Sequence, residues 1–400
     1  MNAKEQISHF VPYCLHTVEE DEIQEVVDTL RSNWLTSGPK TMEFERQFAD
    51  YIGSKYAIAV SSCTAALHLS LIAFDIQDGD EVITTPFTFA ATTEVIEYQH
   101  AKPVFVDIDP SSFNINVNLI EEKITSRTRA IIPVHYGGIP CDLNKIYEIA
   151  NRYGLVVIED AAHAVGTVYQ NRKVGSFGNP TAFSFYPTKN ITTAEGGIIT
   201  TNEEAVSDKS KILSLHGISK DAWKRYSSQG QWYYEIHQLG YKYNFTDIQA
   251  ALGLQQLKKL DRFNSIREQY ARLYFEEFCL IPAIQMPDWY YLYFDKERFT
   301  GIKNSWHLFV IQLDEKRLTI DRSQFIEELR LRGIGSSVHF IPLHLQPYYA
   351  KKYGFRRGDF KVAETIYDKI ISVPLYPKMT EEQLYYIIDT IQDIAKLFTR

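Results

Sequence analysis

The chain has 400 residues, of which 45% are hydrophobic and 14% aromatic, and its formal net charge is −8. This composition excludes a disordered chain, and the lack of a basic run or stripe excludes an extended nucleic-acid-binding surface. The length suggests two or three domains with large buried cores.

Cysteine usage and hydropathy indicate the cellular compartment. Cys14, Cys63, Cys141 and Cys279 are scattered and form no C-x-x-C pair, so we expect reduced thiols rather than a zinc site or a disulfide scaffold. The first residues, MNAKEQISHFVPY, lack the basic and then apolar pattern of a signal peptide. No apolar run is long enough to cross a bilayer. The sequence therefore predicts a soluble, cytoplasmic protein.

Helical and strand-like segments alternate from about residue 40 onwards. In chain order they are MEFERQFADYI (helix), KYAIAV (strand), TAALHLSLIAF (helix), DEVITT (strand), TFAATTEVIEY (helix), PVFVDI (strand), NLIEEKI (helix), AIIPV (strand), LNKIYEIANRY (helix), LVVIED, AFSFY and IITT (strands). The runs AIAV, AIIPV and LVVI are apolar without alternation, as strands buried on both faces should be. The pattern predicts an α/β fold with a mainly parallel central sheet flanked by helices.

A long helical pattern follows at residues 246–278. Either Thr246 or Asp247 is suited to be its N-cap, and Asp261 marks a candidate break. We expect this helix to join the large domain to a smaller one.

The C-terminal third mixes both kinds of pattern. WHLFVIQL alternates like a strand, SQFIEELRLRG predicts a helix that ends at Gly333, and IGSSVHF predicts another strand. The last helix, TEEQLYYIIDTIQDIAKLF, begins with a capping box formed by Thr380 and Gln383. This part of the chain is therefore predicted to be α+β.

These patterns divide the chain into a large domain at residues 1–260 and a small domain at residues 261–400. Residues 1–35 are a candidate to pack on the small domain. Residues 217–240 form a polar, aromatic and irregular segment, and so long a loop in a compact chain is usually functional or mobile.

The stretch SSCTAALHL is the first candidate ligand site. Ser61–Thr64 follow a predicted strand and open a helix. Free N–H groups at a helix start, with hydroxyl groups beside them, can bind a phosphate or another anion. An ordinary helix cap explains the same residues. The spacing matches neither a P-loop nor a dinucleotide fingerprint.

The stretch LVVIEDAAHAVG is the second candidate. Asp160 ends an apolar strand at the carboxyl edge, where open α/β sheets bind ligands, and His163 lies three residues on. A carboxylate buried there needs a cation or hydrogen-bond donors. A protonated ring nitrogen of a cofactor would meet that need, and a cap on the next helix would explain Asp160 equally well.

The stretch FSFYPTKNITTAEGG is the third candidate. Lys189 follows a predicted strand, and a partly desolvated lysine has a lowered pKa and can form a Schiff base. Taken singly, a solvated loop lysine is the simpler interpretation. A phosphate cradle, a carboxylate facing a ring nitrogen and a nucleophilic amine together are what pyridoxal phosphate requires. Phe89 could stack on its ring or pack in the core.

The chain resembles the DegT/DnrJ/StrS family of sugar-nucleotide aminotransferases, which belongs to the aspartate aminotransferase superfamily of fold type I. The resemblance covers nearly the whole chain. It is carried by NWLTSGPKTMEFE, SSCTAALHL, DEVITTPFTFAATTEV, PVHYGGIPCDL, VVIEDAAHAVG, FSFYPTKNITTAEGG, LGYKYNFTDIQAALGLQQL, WHLFVIQL, RGIGSSVHFIPLHLQPYY and VPLYPKMTEEQ.

The resemblance implies a role for each matching residue. Lys189 would hold the cofactor as a Schiff base and then serve as general acid and base. Asp160 would pair with the ring nitrogen, His163 would lie near the ring hydroxyl, and Phe89 would stack on the ring. The phosphate would be bound by Cys63, Thr64, Ser184 and, from a neighbouring subunit, Asn244. Many relatives have glycine where Cys63 stands.

The resemblance also implies a homodimer with shared sites and a reaction in two halves. An amino acid, usually glutamate, would leave its nitrogen on the cofactor, and a nucleotide-linked keto sugar would accept it, as in amino-sugar and lipopolysaccharide synthesis. Thr36 and His339 would face this sugar nucleotide. The segments PVHYGG and KNITTAEGG favour carbon 4 of a UDP-linked 4-keto sugar. Amination at carbon 3 is the alternative.

Lys189 argues against two other function classes. A related sugar dehydratase would carry histidine in place of Lys189, and a non-catalytic regulator would not need a Schiff-base amine. Neither a nicotinamide fingerprint nor a cluster of metal ligands is found in the sequence.

Overall fold

The computed structural model describes residues 10–218, 234–295 and 300–400 of the chain. Residues 219–233, which make up most of the loop predicted at 217–240, lie outside the described residues.

Helices in the described residues alternate with strands over the first half of the chain and dominate the second half. In chain order the α-helices are α1 (Glu20–Arg31), α2 (Pro39–Ile52), α3 (Cys63–Ala73), α4 (Ala90–Tyr98), α5 (Leu143–Tyr153), α6 (Glu204–Ser214), α7 (Asp247–Phe278), α8 (Asp288–Phe294), α9 (Arg322–Leu331), α10 (Pro347–Tyr353), α11 (Lys361–Lys369) and α12 (Glu381–Leu397).

Most of the strands are short and buried. In chain order they are β1 (Tyr56–Val60), β2 (Glu81–Thr84), β3 (Lys102–Phe105), β4 (Thr128–Ile131), β5 (Val156–Val157), β6 (Glu159–Asp160), β7 (Val168–Tyr169), β8 (Arg172–Lys173), β9 (Thr181–Ser184), β10 (Gly197–Thr201), β11 (Ile284–Gln285), β12 (Phe309–Leu313) and β13 (Ile370–Val373).

The central sheet is mainly parallel, as the apolar runs predict. Strands β3, β2, β4 and β5 pair in that order and run parallel. The chain continues from β5 into β6, which pairs in parallel with β9, and β10 then pairs antiparallel with both β9 and β1. The carboxyl ends of β6 and β9 therefore lie side by side, next to the start of β10.

The second sheet is small and antiparallel, with the order β11, β12, β13. Its core packs helices α7, α9 and α12 around aromatic residues such as Trp306 and Phe309. The N-terminal segment joins this core, because Val11 is buried in it and forms a parallel bridge with Ile334. Helix α1 then packs on α7. The division into domains at residue 260 stays a prediction.

Most predicted elements are confirmed, and the long helix is simpler than predicted. Helix α7 runs without a break through Asp261, and Thr246 is its N-cap in a capping box with Gln249. The capping box of Thr380 and Gln383 opens α12, as predicted.

Two predicted elements are wrong. The stretch NLIEEKI forms two short 3₁₀ turns, Val117–Leu119 and Glu121–Lys123, rather than an α-helix. The stretch IGSSVHF is not a strand. Only Ile334 and Ser337 form isolated bridges, to the N-terminal segment and to β13. Pairing with two different partners leaves no continuous ladder.

Among the helices that the structure describes, none combines the length and the apolar composition that a bilayer span requires.

The start of β10 approaches the first turn of α3 too closely for any side chain. A Cβ atom on Gly197 would lie 2.4 Å from the carbonyl carbon of Ser62 and 2.5 Å from the amide nitrogen of Cys63. Those atoms are backbone, so they cannot rotate away. Glycine is thus required where the strand meets the helix N-terminus.

We predict that Gly197→Ala lowers the free energy of unfolding by about 1–3 kcal/mol, because the added methyl must displace the turn before α3. Thermal unfolding measures this loss. The control is Glu195→Ala, an exposed neighbour expected to change stability by less than about 0.5 kcal/mol. Equal stability of the two variants would contradict the close approach.

Candidate functional site

A large cavity lies at the carboxyl ends of β6 and β9 and has a volume of about 600 Å³. Residues at the ends of the sheet strands line it, and residues of the N-terminal segment and of the C-terminal part of the chain complete its walls. Most of the predicted site residues line it: Cys63, Thr64, Phe89, Asp160, His163, Ser184, Lys189 and His339. The fold therefore brings together residues that are up to 276 positions apart.

One end of the cavity is suited to an anion. Helix α3 points its N-terminus there, and Cys63 and Thr64 occupy its first turn. Ser62 is the N-cap, and its hydroxyl accepts a hydrogen bond from the N–H of Ala65. The predicted helix cap at the start of α3 is therefore confirmed. The first-turn N–H groups and the positive end of the helix dipole still favour an anion. Ser184, at the end of β9, lines the same cavity.

Asp160 is a buried carboxylate at the end of β6. Its Oδ2 accepts a hydrogen bond of 2.7 Å from the Thr92 hydroxyl, and its Oδ1 accepts one of 3.1 Å from the N–H of Ala162. The residues directly after Asp160 form turns and not an α-helix, so the helix-cap alternative is wrong. Burial raises the pKa of Asp160, and the charge of Lys189 opposes that shift.

A second carboxylate, that of Glu159, lies next to Asp160 in the same strand. Glu159 is fully buried and accepts hydrogen bonds from the Tyr147 hydroxyl and from Nε2 of His135, the latter at 3.0 Å. Nδ1 of His135 accepts from the N–H of Cys141, which places the ring proton on Nε2. The N–H of His135 also donates to the carbonyl of Asp160. The sequence pattern did not reveal this network, although His135 lies in the quoted segment PVHYGG.

Lys189 is partly buried in the wall of the cavity. Burial lowers the pKa of its amine to about 8, and the nearby Cys63 and Asp160 act in the opposite direction. The simple interpretation of a solvated loop lysine is therefore wrong. At neutral pH a larger fraction of this amine is neutral than for an ordinary lysine.

Three histidines, His163, His307 and His339, line the cavity. The rings of His163 and His307 lie 4.3 Å apart, and the ring of Phe340 is stacked on His163. Nδ1 of His339 is 2.9 Å from the Ser372 hydroxyl. Burial lowers the pKa of all three rings, with the charge of Lys189 as a further cause, and the pKa of His339 falls to about 4. These rings are neutral hydrogen-bonding groups at physiological pH.

Phe89 lies at the open side of the cavity. It precedes helix α4, and 65% of its side-chain surface is exposed. Its ring centroid is 6.4 Å from that of Phe340. The alternative that Phe89 packs in the core is therefore wrong, and its ring face is available to a ligand.

Thr36 and Asn244 lie outside this cavity. Asn244 lines a second cavity of about 220 Å³, and its Nδ2 donates to the Ser37 hydroxyl at 2.9 Å. Thr36 is exposed beside it and accepts a hydrogen bond from the N–H of Asp247. Both residues thus lie on one surface of the chain, away from its own large cavity.

The sequence analysis missed several residues that line the large cavity. Tyr13 and Cys14 enter from the N-terminal segment, Thr92 from α4, and His307 from the segment before β12. Cys14 donates to the carbonyl of Thr188, next to Lys189. The signal available for His307 was its place in the quoted segment WHLFVIQL. Tyr13 and Cys14 carry no local signal.

The family model for the DegT/DnrJ/EryC1/StrS aminotransferases matches residues 16–392 of the chain. Among characterised and uncharacterised relatives, the chain is 54% identical to the uncharacterised protein MJ1066 of Methanocaldococcus jannaschii over 386 residues, which cover 96% of this chain and 98% of that protein. It is 48% identical to the spore coat polysaccharide biosynthesis protein SpsC of Bacillus subtilis over 390 residues, which cover 97% and 98% of the two chains.

The fold is similar to that of Spr1654 from Streptococcus pneumoniae, a protein assigned as a sugar aminotransferase. The TM-score is 0.88 for its PMP form, with 34% identity over 97% of this chain and 99% of that one. Its PLP form gives the same TM-score.

Proposed function

From the premise that the chain belongs to the DegT/DnrJ/EryC1/StrS aminotransferase family, we propose that it transfers the amino group of L-glutamate to carbon 4 of a UDP-linked 4-keto sugar. The chain is a fold type I, pyridoxal-phosphate-dependent sugar aminotransferase. The proposal concerns its site residues, its substrates and its assembly. The observation that carries it is the convergence of Lys189, Asp160 and the N-terminus of α3 on one cavity.

The residues of the cavity fit pyridoxal phosphate. Asp160 is a buried carboxylate whose hydrogen-bond donors are a hydroxyl and an amide, and a protonated ring nitrogen would supply the missing positive charge. Cys63, Thr64 and Ser184 would bind the phosphate at the positive end of α3. Phe89 would cover one face of the ring, and His163 would lie near the ring hydroxyl.

When bound, pyridoxal phosphate supplies an electron sink for the negative charge that develops on the carbon next to the transferred nitrogen. The carboxylate of Asp160 would keep the ring nitrogen protonated, and its bond from Thr92 fixes the direction of that carboxylate. The hydrogen bond between Glu159 and His135 would help to fix the position of the end of β6.

Lys189 would act at two points. Its neutral amine would bind the cofactor covalently at the aldehyde carbon. Once released, the same amine would move a proton between that carbon and the substrate carbon. A pKa of about 8 suits both roles, because protonated and neutral forms coexist near neutral pH.

The sugar substrate is proposed from the segments PVHYGG and KNITTAEGG and from the similarity to SpsC. SpsC takes part in polysaccharide biosynthesis, so we propose that this chain supplies an amino sugar for a surface polysaccharide. His339, in the cavity wall, would face the sugar nucleotide from the same chain.

We also propose a homodimer in which each subunit completes the other's site. The N–H of Ser61 donates to the carbonyl of Tyr243, so the backbone before Asn244 lies beside the phosphate turn of the same chain. The Asn244 side chain nevertheless lines the second cavity. It would therefore reach the phosphate of a partner subunit, and Thr36 would face the partner's sugar nucleotide.

The role of Lys189 is tested by covalent trapping. We predict that borohydride reduction of the protein with pyridoxal phosphate gives one adduct, on Lys189, located by peptide mass analysis. Trapping on the apoprotein should accelerate as the pH rises through about 8, because the amine loses its proton there. Lys189→Ala should give no adduct, whereas the control Lys55→Ala, at an exposed lysine, should trap normally. An adduct in Lys189→Ala would contradict the role.

The substrate is tested with a panel of UDP-, dTDP- and GDP-linked 4-keto and 3-keto sugars. With L-glutamate as donor, we predict the highest kcat/KM for a UDP-4-keto sugar and a product aminated at carbon 4, identified by mass and NMR. Preference for a 3-keto sugar would establish the carbon-3 alternative. No amination of any member would favour a non-catalytic regulator.

The shared site is tested by mixing two defective chains. Lys189→Ala and Asn244→Ala should each lose activity at limiting cofactor concentration. If Asn244 acts across the interface, a hybrid dimer has one site with both residues intact. In an equal mixture about half of the dimers are hybrids, and each has one intact site out of two. Activity should therefore return to about a quarter of the wild-type value. No recovery would place Asn244 in its own subunit's site.

A further inference from the structure

A third, much smaller cavity shares Lys189 as a lining residue with the site described above. Its volume is about 10 Å³. It lies where four parts of the chain meet: the N-terminal segment with Thr17, the loop with Lys189 and Asn190, helix α7 with Arg267, and the segment after β13 with Pro377.

Three buried polar atoms on the walls of this cavity have no hydrogen-bond partner within the described residues. They are Oγ1 of Thr17, Oδ1 of Asn190 and Nε of Arg267. The side chains of Asn190 and Arg267 are 4% and 2% exposed, so solvent does not satisfy them. Each such atom costs free energy if it stays unpaired. Their meeting at one cavity calls for a common partner.

The surrounding bonds fix the orientation of these atoms. Nδ2 of Asn190 donates to Oδ1 of Asn264 and to the carbonyl of Ser305, both at 2.7 Å, which leaves Oδ1 as the unpaired acceptor. Nη1 of Arg267 donates to the carbonyls of Leu375 at 2.5 Å and Trp306 at 3.5 Å, and Nε has no partner with hydrogen-bond geometry within the described residues. The thiol of Cys14 lies close to the same guanidinium.

Size and polarity identify the ligand class. A space of about 10 Å³ is about what one water molecule needs and is too small for a carboxylate. The walls offer a donor on Arg267, an acceptor on Asn190 and a hydroxyl on Thr17 that can be either. A water molecule accepts and donates at once. An anion would be repelled by Oδ1 of Asn190, and a cation by the guanidinium of Arg267.

We propose that this cavity binds one resident water molecule, which accepts a hydrogen bond from Nε of Arg267, donates one to Oδ1 of Asn190 and pairs with the hydroxyl of Thr17. The water links the loop that carries Lys189 to helix α7 and to the N-terminal segment. Gln256 strengthens the same link, because it donates to the carbonyl of Thr17 and accepts from the N–H of Thr192.

Thr17, Asn190 and Arg267 are thereby positioning residues for Lys189. The water site itself follows from the geometry alone, whereas its effect on turnover rests on the proposed function of Lys189. A loop held less firmly leaves the amine less well placed for proton transfer, and small misplacements of a reacting group cost large factors in rate.

A crystal structure of the cofactor-loaded protein at high resolution tests the site directly. We expect a density peak within about 3.2 Å of all three atoms. An empty cavity between ordered side chains would overturn the proposal, and so would rotation of these side chains onto protein partners. If the peak is present but borohydride traps a lysine other than Lys189, the proposed function fails and the water site stands.

The matched variants Thr17→Val and Thr17→Ser test the positioning role. Valine keeps the shape of threonine without its hydroxyl, and serine keeps the hydroxyl. We expect Thr17→Val to lose the density peak and about tenfold in kcat, with KM for both substrates within about twofold of wild type. Thr17→Ser should retain the peak and most of kcat. Equal kcat in both variants, or a change in KM alone, would overturn the positioning role.

Discussion

A carboxylate and an amine share one buried cavity, and the rest of the site is organised around them. Burial alone raises the pKa of Asp160 and lowers that of Lys189, so each charged form is disfavoured. Each group moderates the shift of the other, because their charges are opposite. Hydrogen bonds from Thr92 and Ala162 complete the support of Asp160. A cofactor with a cationic ring nitrogen and an aldehyde suits both partners.

The topology of the sheet explains why these groups meet. Asp160 ends β6. Lys189 follows β9, and β9 is the parallel neighbour of β6. Strand β10 runs in the opposite direction, so its first residue, Gly197, lies beside the start of α3. The lack of a side chain at this residue lets the first turn of α3 approach the same edge of the sheet. Three segments that are separate in sequence thus become three sides of one cavity.

The remaining wall comes from parts of the chain with no regular secondary structure. This wall includes Tyr13 and Cys14 in the N-terminal segment, and His307 and His339 in the C-terminal part of the chain. Arg267 lies directly behind this wall and is buried without a hydrogen bond to any carboxylate of the described chain. The backbone carbonyls that it binds belong to Trp306 and Leu375, so Arg267 links α7 to the segments beside β12 and β13.

The sequence by itself determined the class of fold and the centre of the site. Short apolar runs without alternation, set between helical patterns, predict strands covered on both faces. Parallel strands present their carboxyl ends at one edge, which is why Asp160 and Lys189 could be paired in advance. Only the tertiary structure decided between the alternatives for Phe89, whose exposure excludes the core. It alone brought Thr17, Asn190 and Arg267 to one cavity. Periodicity reports which face of a local element is buried, whereas contacts between distant segments depend on how whole elements pack.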